Sequence, residues 1–171
     1  MLSKKMLDEL NKQVNAELYS SYLYLSMAAY FESINLKGFA NWMKIQAQEE
    51  VTHAMKFFDY INERGGRVTL DTIKKPPAEW KSPLDVFENT YKHEVNVTKM
   101  INSLVDLAIK EKDHATYNML QWFVAEQVEE EASADAIRQQ LKFIGKDGRG
   151  LLMLDRELSR RVFTPPAQEE K

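Results

Sequence analysis

The sequence predicts an all-α protein: a four-helix bundle with one long crossover connection and a short fifth helix near the C-terminus. Three observations predict it. Apolar residues recur at helical spacing through four long segments. Only 6 Gly and 5 Pro interrupt the 171 residues, and they cluster at a few points. One spacing is also written twice. Glu17 is followed 33 residues later by Glu50 and 3 residues after that by His53; Glu94 is followed 33 residues later by Gln127 and 3 residues after that by Glu130. A duplicated helical hairpin produces such a repeat.

The first helix is expected over roughly 4–33, with Leu7, Leu10, Val14, Glu17, Ser21, Tyr24, Ala28 and Phe31 as its inward seam. Residues 35–38 form a short turn, which makes the second helix, roughly 38–64, antiparallel to the first. Its seam is Phe39, Met43, Gln46, Glu50, His53, Phe57 and Tyr60, and Gly65-Gly66 ends it. Residues 66–82 are a 17-residue connection, far longer than the ~2–8 usual between bundle helices. Extended, it reaches ~56 Å at ~3.3 Å per residue, more than the ~40 Å length of the second helix. It can therefore cross the whole bundle, with Val68, Leu70, Ile73 and Trp80 as packing residues.

Ser82 caps the third helix, roughly 83–110, with Pro83 at its first position and Asp85 in a capping-box-like place. Its seam is Phe87, Tyr91, Glu94, Thr98, Ile101, Val105 and Ala108. After a short turn capped by Asp113, the fourth helix, roughly 113–144, carries Thr116, Leu120, Phe123, Gln127, Glu130, Ala134, Ile137, Leu141 and Ile144. A fifth amphipathic segment, roughly 149–163, has Leu151, Leu154, Leu158 and Val162 on one side. Residues 167–171 are expected to fray. The whole chain, 1–171, reads as one domain, long enough to bury a sizeable core.

Composition excludes several chemistries. There is no cysteine, so disulfides, thiolate zinc sites and cysteine-held iron–sulfur centres are out. Any metal must be held by oxygen and imidazole. The net charge is −3, with no basic patch of the kind a nucleic-acid partner requires. No run approaches the ~18 apolar residues of a membrane helix, and the first residues do not resemble a secretion signal. A cytoplasmic location is expected, with no membrane partner.

The chemistry lies in a polar layer inside the core. Glu17, Glu50, His53, Glu94, Gln127 and Glu130 all occupy seam positions, and every long helix contributes at least one. Buried carboxylates are costly unless compensated, and four in one layer repel. Two divalent cations with a carboxylate bridging them would neutralise the layer. Oxygen ligands with one imidazole suit Fe(II), Mn(II) or Zn(II) better than Cu(I). The metal that receives His53 should be held more tightly than the other.

These residues resemble a family. The segments Asn15-Ala16-Glu17-Leu18-Tyr19-Ser20-Ser21-Tyr22-Leu23-Tyr24, Gln48-Glu49-Glu50-Val51-Thr52-His53-Ala54, His93-Glu94 and Ala125-Glu126-Gln127-Val128-Glu129-Glu130 are similar to those of the non-haem bacterial and archaeal ferritins. Ferritin-like di-iron bundles are described by a Glu from each of two helices and a Glu-x-x-His pair from each of the other two; here the second pair is Gln127-x-x-Glu130, a departure from the symmetric di-iron proteins that the ferritins share. The resemblance implies an iron-storage protein with a ferroxidase centre. Glu17, Glu50 and His53 would hold one iron, and Glu50 would bridge to a second held by Glu94 and Glu130. Gln127 would stand close, through a hydrogen bond or water. The resemblance further implies a third iron position at Glu49, Glu126, Glu129 and Glu130, and a role for Tyr24 beside the pair in reducing bound oxygen. It implies Fe(II) with O₂ or H₂O₂ as substrates, and a homo-oligomeric shell of 24 subunits with the fifth helix at its fourfold axes. Haem is not expected, because Thr52 stands where haem-binding relatives have their axial Met.

The alternative reading is a rubrerythrin-like di-iron peroxidase without a rubredoxin domain. Gln127, where those proteins have a carboxylate, and the absence of cysteine weigh against it. His93 and His114 are expected at the surface.

Overall fold

The structure is a computed structural model that describes residues 1–165; the expected fraying of 167–171 lies outside them. Five helices follow in order: α1 Lys4–Ser33, α2 Lys37–Glu63, α3 Pro83–Glu111, α4 His114–Ile144 and α5 Gly148–Leu158. No strand occurs among the described residues. Two compact units form. One comprises Asn11–Glu79 and the chain from Asp147 onward; the other comprises Leu2–Leu10 and Trp80–Lys146.

In the first unit α1 and α2 form a hairpin whose turn places Asn35 in the left-handed region, φ 60°. The ring of Phe31 stacks on Phe39 across this turn at 5.0 Å. Further along, Ser21 Oγ donates to the Ala47 carbonyl at 2.7 Å. Every expected seam residue of α2 from Phe39 to Phe57 is buried. The α1 seam is buried from Leu10 to Phe31, and Met6 takes the fully buried place expected of Leu7.

The connection after α2 differs from expectation in what holds it. Leu70 and Ile73 stay 66% and 39% exposed, so apolar burial does not anchor them. Polar side chains of α1 bind its backbone instead. Asn11 donates to the Arg67 carbonyl and accepts from the Thr69 N–H. Asn15 Nδ2 donates to the Asp71 carbonyl at 3.1 Å, and Ser26 Oγ to the Pro77 carbonyl at 2.6 Å. Partners rise together along both strands of chain, so the connection runs beside α1 in the direction of α1. It covers ~22 Å of helix at 1.5 Å per residue. An irregular segment has unpaired backbone groups, and these side chains satisfy them.

Helix α5 docks on the start of α2. Asp155 Oδ1 accepts from the N–H groups of Gly38 at 2.8 Å and Phe39 at 3.0 Å, capping α2 from a distant part of the chain. The approach requires glycine: a Cβ on Gly38 would lie 1.6 Å from the Asp155 carbonyl oxygen. The helix ends at Leu158, short of the expected 163, and Val162 is exposed rather than part of an apolar face.

In the second unit Ser82 caps α3 by accepting from the Asp85 N–H at 3.1 Å. The Asp85 carboxylate reaches back to the Lys81 N–H at 2.9 Å, one residue beyond a standard capping box. Lys112 adopts the left-handed conformation between α3 and α4, φ 57°, and Asp113 caps α4 through the Thr116 N–H. The α4 seam is buried from Thr116 to Leu141. In α3 the buried stripe is Phe87, Thr90, Glu94, Val97, Ile101, Leu104 and Ala108. Tyr91, Thr98 and Val105, expected within it, lie at its edge. Tyr91 and Thr98 meet α4 there: the Arg138 guanidinium lies 4.1 Å from the Tyr91 ring centroid, and Thr98 Oγ1 donates to Glu131 Oε1 at 2.5 Å.

Candidate metal centre

The doubled spacing becomes doubled geometry because two antiparallel helices bring residues equidistant from their turn to one level. Asn35 stands midway between Glu17 and His53, and Lys112 midway between Glu94 and Glu130. Among the described residues, these two turn residues are the non-glycine positions with positive φ.

In the first unit Glu17, Glu50 and His53 converge. One ligand-type atom from each lies within 4.8 Å of the others, and all three residues are buried. Gln13, one turn before Glu17, donates from Nε2 to Glu17 Oε1 at 2.8 Å and fixes its rotamer. His53 Nδ1 stands 3.3 Å from Glu50 Oε2. This contact is not an ion pair at neutral pH. Burial, assisted by the nearby Lys56 charge, lowers the His53 pKa from 6.5 to about 4, so the ring is neutral. A neutral imidazole keeps a lone pair for a cation, which protonation would remove. Two carboxylates and one neutral imidazole out of water form a site that a divalent cation would compensate.

The second unit treats its half differently. Gln127 Nε2 donates to Glu94 Oε2 at 3.1 Å and to the Glu94 carbonyl at 3.3 Å. Its amide also lies 3.4 Å from Thr98 Oγ1. Glu130 lies one turn beyond Gln127 and is buried, as is Glu94. A neutral donor thus stands at the position corresponding to Glu50, and a carboxylate, Glu130, at the position corresponding to His53.

The remaining expected residues are more scattered. Tyr24 is completely buried two turns along α1 from Glu17. Glu126 is half-buried and Glu129 exposed. Glu49 is half-buried and accepts from Arg161 Nη2 at 2.6 Å. Burial pushes its carboxyl pKa up, opposed by the charge and hydrogen bond of Arg161. His114 is exposed as expected. His93 is a correction: it is half-buried, and burial lowers its pKa to about 4.

Three residues with a part in this geometry were not anticipated: Gln13, Thr98 in its contact with Glu131, and Arg161. Gln13 had a local signal, four residues before a seam glutamate. Arg161 had none, since it meets Glu49 across 112 positions of sequence.

Known proteins carry the same arrangement of chain. The ferritin family model, a ferritin-like domain, matches residues 7–144. A bacterial non-heme ferritin of Bacteroides fragilis is 47% identical over 161 residues, covering 94% of this chain and 100% of the relative. One from Escherichia coli O6:H1 is 42% identical over 159 residues, covering 93% and 96%. Among solved structures, the engineered closed form of the Archaeoglobus fulgidus ferritin is 63% identical and superposes with a TM-score of 0.95 over 96% of this chain and 100% of that one. The open-pore ferritin of the same archaeon is 63% identical, with a TM-score of 0.94 over 95% and 100%.

Proposed function

From the premise that the chain belongs to the ferritin family and is an iron-storage protein, we propose that it is a ferroxidase whose two half-sites close into one two-iron centre within a single bundle domain, 1–171. The observation that carries this reading is the buried convergence of Glu17, Glu50 and a neutral His53. Fe(II) is substrate and cargo. Glu17, Glu50 and His53 take the first Fe(II). Glu50 bridges to the second, which Glu94 and Glu130 hold while Gln127 orients Glu94. Each Fe(II) gives up one electron. Two electrons reduce O₂ to the peroxide level, or H₂O₂ to water. Anionic ligands favour the Fe(III) product over Fe(II), which lowers the barrier to oxidation. Tyr24, buried two turns along α1 from Glu17, is assigned the passing of a further electron.

The amide at Gln127 weakens the second position, which suits iron that must leave for the mineral. Glu49, Glu126, Glu129 and Glu130 form a third, transit position. The protein assembles from copies of itself, as 24 subunits around a mineral cavity, and works in the cytoplasm. Among the described residues, no helix is long and apolar enough to cross a membrane.

The test is aerobic Fe(II) addition to metal-free protein, following ferric absorbance while measuring particle size. Oxidation well above the buffer rate in a particle of many subunits is expected. Oxidation at the buffer rate would overturn the ferroxidase, and a monomer-sized particle would overturn the shell.

A further inference from the structure

The chain leaving α5 climbs the side of α2 and is fastened at three levels. Asp155 caps the first N–H groups of α2. Asn41 Nδ2 donates to the carbonyls of Leu158 at 3.2 Å and Arg161 at 3.0 Å. The Arg161 guanidinium lies over the Trp42 ring, 4.7 Å from its centroid, and Nη2 donates to Glu49 Oε2 at 2.6 Å. Glu49 immediately precedes Glu50, so this last tie reaches the level of the metal layer.

We propose that Arg161 is a displaceable counter-ion: its guanidinium holds the carboxylate with which Glu49 would take a third cation, and that cation binds only as the segment after α5 lets go. The inference rests on the third iron position proposed above. Three features of the contact fit a latch better than a permanent strut. The pairing is single, where a structural arginine–carboxylate pair is commonly a two-pronged fork. Nη1 is buried without a hydrogen-bond partner among the described residues, so docking leaves a donor unsatisfied. The two side chains keep 26% and 23% of their surface exposed, so water can take over both charges when they part.

The local structure lets the arm move alone. Helix α5 is held separately by Asp155 and by buried Leu154 and Leu158. Residues 161–165 are in no helix. A multivalent cation at Glu49 would repel the guanidinium at close range, whereas Na⁺ or K⁺ competes weakly with a charge-assisted hydrogen bond. The latch therefore keeps the third position empty until multivalent iron arrives, and makes it the last to fill.

Assembled, metal-free protein is titrated with Zn²⁺, a redox-inactive probe, by calorimetry. Amide hydrogen exchange of residues 159–163 is followed with and without saturating Zn²⁺. Wild type is expected to show a weakest class of site that Glu49→Gln removes. Arg161→Gln is expected to tighten that class roughly tenfold, the scale of one charge-assisted hydrogen bond removed as a competitor, leaving tighter classes unchanged. In wild type, which needs no substitution to report, Zn²⁺ is expected to speed exchange at 159–163; in Glu49→Gln it is expected not to. If Glu49→Gln removes no class of site, the third position itself falls and the latch with it. If that class exists but Arg161→Gln leaves its affinity unchanged, or Zn²⁺ leaves exchange at 159–163 unmoved in wild type, the latch is overturned while the third position stands.

Discussion

The α1–α2 hairpin and the α3–α4 hairpin carry the same spacing of polar residues and use it differently. In the first, Glu17 and Glu50 meet a neutral imidazole, three groups that can all present lone pairs to one point. In the second, Gln127 meets Glu94, and its amide donates to that carboxylate at 3.1 Å. A carboxamide satisfies a buried carboxylate without a metal, at the strength of a hydrogen bond to a charged group. Gln13 gives Glu17 a donor of the same kind at 2.8 Å, so the difference lies in the imidazole that the first hairpin adds and the second lacks. Repeated sequence spacing fixes where side chains meet; the identities of two residues, Gln127 for Glu50 and Glu130 for His53, decide what they do when they meet.

The largest break in this comparison is expected at Glu50, for which a bridging role is proposed. Glu50→Ala is expected to slow rapid Fe(II) oxidation by roughly 100-fold or more, since both positions lose a ligand. The helix content and particle size should persist, because removing a buried charge does not open the apolar seam around it. Stopped-flow ferric absorbance measures it, and unchanged kinetics would remove Glu50 from the bridging role.

Gln127→Glu tests the comparison from the other side. It replaces a donor by a second carboxylate within hydrogen-bond distance of Glu94. The metal-free protein should lose about 1–3 kcal/mol, the usual cost of a broken buried hydrogen bond, with like-charge repulsion acting in the same direction. Added Zn²⁺ should restore more stability to the variant than to wild type. Thermal melts with and without Zn²⁺ decide it, and equal gains in the two proteins would contradict the role given to Gln127.

His53 supplies the pH test. Its folded-state pKa of about 4 lies below the ordinary 6.5. Below pH 6.5 the unfolded chain gains a proton that the folded chain refuses, so stability falls as pH drops from ~6.5 toward ~4. By linkage this one group removes at most about 3 kcal/mol from the metal-free protein. His93 acts in the same direction, so the difference between wild type and His53→Gln isolates the contribution. Denaturant midpoints across that window should show a shallower slope in the variant. Parallel slopes would mean that His53 titrates normally when folded.

The smallest effect is expected away from the centre. Asn15→Ala removes a side-chain tie to the crossover and should cost about 1 kcal/mol. Thermal melts of the variant would show it, with oxidation kinetics unaltered.

Much of this was legible in the sequence for a physical reason: helices sort their residues by a fixed period, so a polar residue on an apolar seam announces itself. Glu17, Glu50, His53, Glu94, Gln127 and Glu130 were all found that way, and all are buried. The helix ends were legible because Ser82, Asp113 and the turn glycines satisfy or release backbone groups locally. What lacked a local period was not legible. Asn11 and Asn15 fasten the crossover across more than 50 positions of sequence, a hold that the exposed Leu70 and Ile73 do not supply, while Val68 and Trp80 are half-buried. Asp155 and Arg161 act on α2 from more than 100 positions away. The rotation of the α3 stripe arose because Tyr91 and Thr98 suit an edge that touches α4 as well as they suit a seam.

The inequality of the two half-sites is tested most directly by anaerobic Fe(II) titration of wild type, His53→Ala and Glu94→Ala, read as site affinities per subunit. Above the weakest class at Glu49, two classes of unequal affinity are expected in wild type, with His53→Ala weakening the tighter of these two and Glu94→Ala the other. Equal affinities in wild type, or a His53→Ala variant that weakens both classes alike, would contradict it.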